Sequence, residues 1–263
     1  MAKTLLLAAT LLVLTATTSF AQRGGLSLGW GNCRVNGAGA QNATSACTTN
    51  SGNGPLLVGA FIPNASSNLN SLNSAFLYID VFSSGGAALP PWWTFTDPPV
   101  TGCRALNVWS LDMANNASAT CDRSYWGEVG SPSSASRWFY PTYAGGHGTL
   151  RLLVAVDAQI AAATPQIGAG EESHILGARL GRQNSTGAGS CFGCLEPMNL
   201  YFAQADFFQT NGDNFVIGGV GTSGIPFNNE RCATFNGISP AEACAIGDAV
   251  RNGSWGAIKS MYR

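Results

Sequence analysis

The chain has 263 residues, of which 10% are charged, and 13 Lys+Arg against 14 Asp+Glu give a formal net charge of −1. That balance offers no electrostatic case for a nucleic acid partner or an anionic membrane surface. A charged fraction so far below the usual quarter or so leaves solubility to Asn, Ser, Thr, Gln and Gly, which is a turn-rich β signature and argues against a helical bundle.

Residues 1–21 read as a secretory signal peptide. Lys3 supplies the positive start, Thr4 to Thr15 the apolar stretch, and Ser19-Phe20-Ala21 the small residues ahead of cleavage near Ala21. A retained N-terminal anchor is the alternative; Gln22, Arg23 and two glycines follow at once and speak against it. No later run reaches the ~18 apolar residues of a membrane helix. The expectation is export to the extracellular space, the cell surface or the periplasm, with residues 22–263 forming one domain. A split at Ala144-Gly145-Gly146-His147-Gly148 is conceivable, but no repeat marks it.

Strand candidates follow in order. Leu26 to Trp30 alternates cleanly, Leu56 to Ile62 is a short apolar run, and Phe76 to Phe82 is apolar on both sides apart from Asp80. Ala105 to Leu111, Leu150 to Val156, Met198 to Phe208 and Asn214 to Ile217 complete the set. Residues 35–55 and 64–74 are Gly/Asn/Ser-rich loops. Ala158 to Ala163 fits a helical turn or a continued strand, and residues 171–182 fit either period. Ser239-Pro240-Ala241-Glu242 has capping-box spacing with Pro at the first helical position. Ala243, Ile246, Gly247 and Val250 then line one face until Asn252-Gly253 ends the helix. Short strands between turn signals and one C-terminal helix predict an all-β, antiparallel, jelly-roll-like sandwich.

Eight cysteines, Cys33, Cys47, Cys103, Cys121, Cys191, Cys194, Cys232 and Cys244, make disulfides the expected staple of an exported chain. They fall into sequence-local couples, and the simplest pairing is 33–47, 103–121, 191–194 and 232–244. The Cys191-Phe-Gly-Cys194 motif also raises redox and metal chemistry. A redox dithiol needs a helix after its first cysteine, and Pro197 with the strand-like run behind it works against that helix. Zinc needs further ligands, and neither His147 nor His174 stands at ligand spacing. A structural disulfide is the preferred reading.

Other motifs are weak. Gly219 to Gly224 matches G-x-G-x-x-G, but Pro226 follows where a dinucleotide site needs a helix. The nearest serine-elbow match, around Ser223, lacks its last glycine. His147 or His174 could serve as a base only if the fold brought a serine or carboxylate to it in a cleft. Glu171-Glu172 reads as a solvated turn. Asn42, Asn64, Asn116, Asn184 and Asn252 head N-x-S/T triplets, from which no glycan is inferred in so Asn- and Ser-rich a chain. In Pro90-Pro91-Trp92-Trp93-Thr94-Phe95, an extended backbone lets at most one tryptophan face inward. Trp92 or Trp93 is therefore a candidate glycan-stacking residue, against the plainer role of core filler.

GLSLGWGNC (25–33), CTTNSG (47–52), ALPPWWTF with the GCR that follows, GSCFGC (189–194) and the terminal NGSWGAIKSMYR together resemble a family of uncharacterised secreted bacterial proteins. The resemblance implies export and recurring cysteine pairs; it implies no activity, substrate or catalytic residue. The reading from sequence is a secreted, non-catalytic structural, surface or adhesive protein without a cofactor. The alternatives are a carbohydrate-binding module using Trp92 or Trp93, a self-assembling subunit, and a secreted hydrolase. Partners in view are a polysaccharide, a cell-surface component or the chain itself.

Overall fold

A computed structural model describes residues 25–63, 72–83, 88–96, 102–105, 109–113, 121–129, 132–139, 150–158, 167–210, 212, 214–218 and 229–237. In chain order the strands are β1 (Gly25–Trp30), β2 (Asn42–Ala43), β3 (Asn53–Ile62), β4 (Leu72–Ser83), β5 (Phe95–Thr96), β6 (Arg104–Ala105) and β7 (Trp109–Leu111). Then come β8 (Arg123–Ser124), helix α1 (Tyr125–Val129), β9 (Pro132–Phe139), β10 (Leu150–Ala158), β11 (Ser173–Gly181), β12 (Met198–Gln209), β13 (Phe215–Gly218) and β14 (Cys232–Phe235).

The smaller sheet runs β1-β3-β11-β7, with β8 beside β11; the larger runs β2-β14-β12-β4-β10-β9, with β13 beside β12. The long pairings are antiparallel, and among the described residues only the two-residue contacts β11/β8, β14/β2 and β5/β6 are parallel. The chain passes back and forth between the sheets, as in a jelly roll. This is the all-β sandwich expected from the sequence. The expected signal peptide and the expected C-terminal helix at 239–252 fall outside the described residues, as do His147 and the glycine motif at 219–224. Helix α1 was not legible; it buries Tyr125 and Trp126, whose polar tips donate to the carbonyls of Leu72 (2.9 Å) and Ile175 (2.9 Å).

Alternation places the core between the sheets. Leu26, Leu28, Leu57, Phe61, Leu176 and Ala178 meet Leu77, Ile79, Leu152, Val154, Leu200 and Phe202 in one apolar cluster. Gly59 is required there, because an added Cβ would sit 2.9 Å from the Phe202 ring of the facing sheet. On β12 the alternate residues Met198, Leu200 and Phe202 are fully buried. A register shift between Phe202 and Gln204 then hands the inward phase to Ala205 and Phe207.

The smaller sheet is buried on both faces. Leu56, Val58 and Ala60 pack outward against Cys33, with Cys121 beside them. On β11, register shifts between His174 and Leu176 and between Arg179 and Gly181 break the strand period, and nearly all of Ser173–Gly181 is buried.

Candidate functional site

Three disulfides are present among the described residues, Cys33–Cys121, Cys47–Cys194 and Cys103–Cys191, spanning 88, 147 and 88 positions. The sequence-local pairing 33–47, 103–121 and 191–194 is therefore overturned. The sandwich sets distant loops side by side, and proximity in sequence does not decide which thiols meet. Cys232 is also disulfide-bonded, while Cys244 lies outside the described residues. Cys191 and Cys194 form no dithiol couple with each other, which removes the redox reading of the motif.

The crossed bonds brace the loop between β11 and β12. Left-handed turns at Asn184, Gly187, Gly189 and Gly193 fold it tightly. Gly193 is obligatory: its φ is +91°, and a Cβ there would run into Pro90. Asn50 and Thr186 exchange hydrogen bonds of 2.7 and 2.9 Å across the loop's shoulder. The Phe192 carbonyl accepts from the Trp92 amide at 3.0 Å, and the Cys194 carbonyl from the Asn236 side chain at 2.7 Å. With its cysteines turned inward, the loop turns Phe192 and Leu195 outward, 76% and 64% exposed.

Beneath it lie the two tryptophans. Trp92 and Trp93 are 1% and 0% exposed, so neither offers a face to a sugar ring. The expectation of one outward tryptophan assumed an extended strand. Pro91–Trp93 is instead a 3₁₀ turn, where successive side chains diverge by roughly 120° and not 180°, and both reach the core. The rings meet edge-on at 5.2 Å, and both pack on Phe235. Arg104 lies over Trp92 and donates to the carbonyls of Trp92 (3.1 Å) and Gly181 (2.5 Å). Burial pulls its pKa down to about 9, which still leaves it charged at neutral pH.

His174 does meet a serine: its Nδ1 lies 3.4 Å from Ser124 Oγ. The pair sits in the interior and not in a cleft, at 1% and 5% exposure. Burial pushes the imidazole down to about 4, against the opposing pull of Asp112. This neutral, enclosed histidine joins β11 to β8.

Glu172 corrects another expectation, for it is fully buried and not a solvated turn residue. Its carboxylate accepts from Ser27 Oγ (2.6 Å) and from the amides of Val35 (3.0 Å) and Asn36 (2.5 Å). Asp122 accepts from the Glu172 amide at 2.7 Å and from the Asn36 side chain. These bonds fix the loop after β1 onto the smaller sheet beside Cys33–Cys121. Glu171 remains at the surface with Arg123 at 3.3 Å.

Sequence reasoning missed Phe192 and Leu195. The available signal was apolar side chains next to each cysteine in a loop otherwise made of Gly, Ser and Asn.

No family model and no curated protein matches the sequence. Among solved structures, the chain is similar to a cohesin module from a Clostridium perfringens family 33 glycoside hydrolase, at 8% identity and TM-score 0.30, over 75% of this chain and 91% of that one. It is similar to the same degree, 8% and 0.30, to the second type II cohesin module of the adaptor ScaA scaffoldin of Acetivibrio cellulolyticus, over 73% of this chain and 88% of that one. Likeness of that degree leaves the function to be read from this chain's own residues.

Proposed function

We propose that this is a secreted, non-catalytic surface or adhesive protein whose contact is the β11–β12 loop, with Phe192 and Leu195 as its anchors. The observation that carries the reading is two largely exposed apolar side chains on a loop bonded at Cys191 and Cys194 to two other segments. An apolar pair in solvent is unfavourable unless something covers it. A pre-ordered loop loses little conformational entropy on binding, so a small contact is effective. Three long-range disulfides fit an oxidising compartment, in keeping with export.

The test is retention of the labelled mature protein on intact cells of the organism that secretes it. Phe192→Ser with Leu195→Ser should abolish retention while the fold stays intact. Equal retention of the variant would remove the loop from the account.

Self-assembly is a second reading, favoured by the outward face of the larger sheet. Phe76 and Val216 share one register row there through Asp206 and are 39% and 47% exposed. Sedimentation of the wild type against Phe76→Ser with Val216→Ser separates it: an assembly lost in that variant supports this reading, and a monomeric wild type ends it.

A further inference from the structure

The three described disulfides differ in how far solvent reaches them. Cys33 and Cys194 are 0% and 5% exposed, and their partners Cys121 and Cys47 are half-buried. Cys191 is 2% exposed, but its partner Cys103 is an exposed residue. Thiol–disulfide exchange begins with attack by a thiolate on one of the two sulfurs, so its rate follows access to that sulfur. Cys103 is the point at which a reductant first reaches this set of bonds.

Place along the loop gives that bond its consequence. Phe192 lies between Cys191 and Cys194, and Leu195 directly follows the second. Apart from its disulfide, the Cys191 end is held by hydrogen bonds. The Cys191 amide donates to the Asn184 carbonyl at 2.8 Å, and the Trp92 amide to the Phe192 carbonyl at 3.0 Å. The Asn184 side chain reaches the Cys103 carbonyl at 3.4 Å. Each such bond contributes little net stability, because water offers the same groups a partner. The Cys194 end has its own disulfide to Cys47 and the Asn236 bond at 2.7 Å. Opening Cys103–Cys191 alone therefore frees the Phe192 side of the turn and leaves the Leu195 side anchored.

We propose that Cys103–Cys191 is a reducible latch on the contact loop, opened by a dithiol reductant before the other described disulfides, and that opening it loosens Phe192. Its role in binding rests on the contact reading given above; its chemistry does not. A thiolate of the reductant attacks Cys103 Sγ, the S–S bond breaks, and its electron pair passes to Cys191 Sγ, which takes a proton. The second thiol of the reductant loses its proton and displaces the Cys103 sulfur, which is protonated in turn. The dithiol leaves as a disulfide, oxidised by two electrons, and the latch is reduced by two. Cys191 and Cys194 do not pair with each other at any step.

The test is stepwise reduction of the full mature protein with dithiothreitol, quenched by alkylation and read by peptide mapping. Cys103 and Cys191 should be labelled while Cys33–Cys121 and Cys47–Cys194 remain linked. Either of those bonds opening first, or all three opening in one step, overturns the latch. Hydrogen exchange then reads the loop in Cys103→Ser with Cys191→Ser. The Trp92 amide should exchange severalfold faster than in the wild type, with the Val35 amide at Glu172 unchanged. If both rise, the variant has lost its fold, and wild type alkylated at Cys103 and Cys191 alone decides by the same comparison. Unchanged exchange at Trp92 overturns the loosening. Retention on cells should fall severalfold in the opened protein but stay above that of Phe192→Ser with Leu195→Ser. Full retention with the latch open overturns its control of binding, whereas full retention of the serine pair counts against the contact reading and leaves the labelling order to judge the latch.

Discussion

The Arg104 guanidinium lies 3.7 Å from the centroid of the Trp92 ring, and both residues are sealed beneath the loop that displays Phe192. One cation thus joins the 3₁₀ turn at Pro91–Trp93 to the end of β11, through bonds to Trp92 and Gly181 carbonyls. Arg104→Ala would leave two acceptors without this donor and remove the ring contact. The expected loss is about 3 kcal/mol in urea unfolding. Arg104→Lys should recover only part of it, because an ammonium does not reproduce the planar fork. A loss below ~0.5 kcal/mol would mean that the arginine does not organise this floor.

His174 predicts an acid limit to stability. Its folded pKa of about 4 lies below the 6.5 of an unhindered imidazole. The unfolded chain therefore binds the extra proton between these values, and stability is full above the upper one. It falls as pH drops through the window, by about 3 kcal/mol in all. His174→Gln should remove that part of the slope. An unchanged slope between pH 6.5 and 4 in the variant would contradict the assignment.

Glu172→Gln keeps the volume of the side chain but replaces one accepting oxygen with a donor that faces backbone amides. The expected cost is about 2 kcal/mol. Faster hydrogen exchange should appear first at Val35 and Asn36, whose amides the carboxylate holds, and then in the rest of residues 31–39. Unaltered exchange there would show that Cys33–Cys121 fixes the loop alone.

The two aromatic groups separate stability from contact. Trp93→Ala removes a fully buried ring and should cost about 3–5 kcal/mol. Phe192→Ala and Leu195→Ala remove exposed groups and should stay within about 0.5 kcal/mol of wild type. Thermal unfolding of the three variants checks both statements. Any response of tryptophan emission to added polysaccharides should persist in Trp92→Phe and Trp93→Phe, given the burial of both rings.

How much was legible depended on how each residue sees water. Leu150 to Val156 alternates because one side of the strand is core, and it was readable. β11 was not, since two register shifts break its alternation and nearly all of it is buried. Trp92 and Trp93 misled because a local 3₁₀ turn changes where consecutive side chains point. The cysteine partners were hidden for a different reason. Cys47 meets Cys194 across 147 positions, and such a meeting is fixed by the sheet order, which no local pattern encodes. Phe192 and Leu195 emerged only once that pairing showed which way the loop faces.

The most direct test of the contact loop is a photo-crosslinking side chain placed at position 192 in the otherwise native protein, with a second protein carrying it at position 216. Irradiation on intact source cells should trap a surface component through position 192 and not through position 216. A cross-link from position 216 alone would move the contact to the outward sheet face and contradict the role given to Phe192 and Leu195.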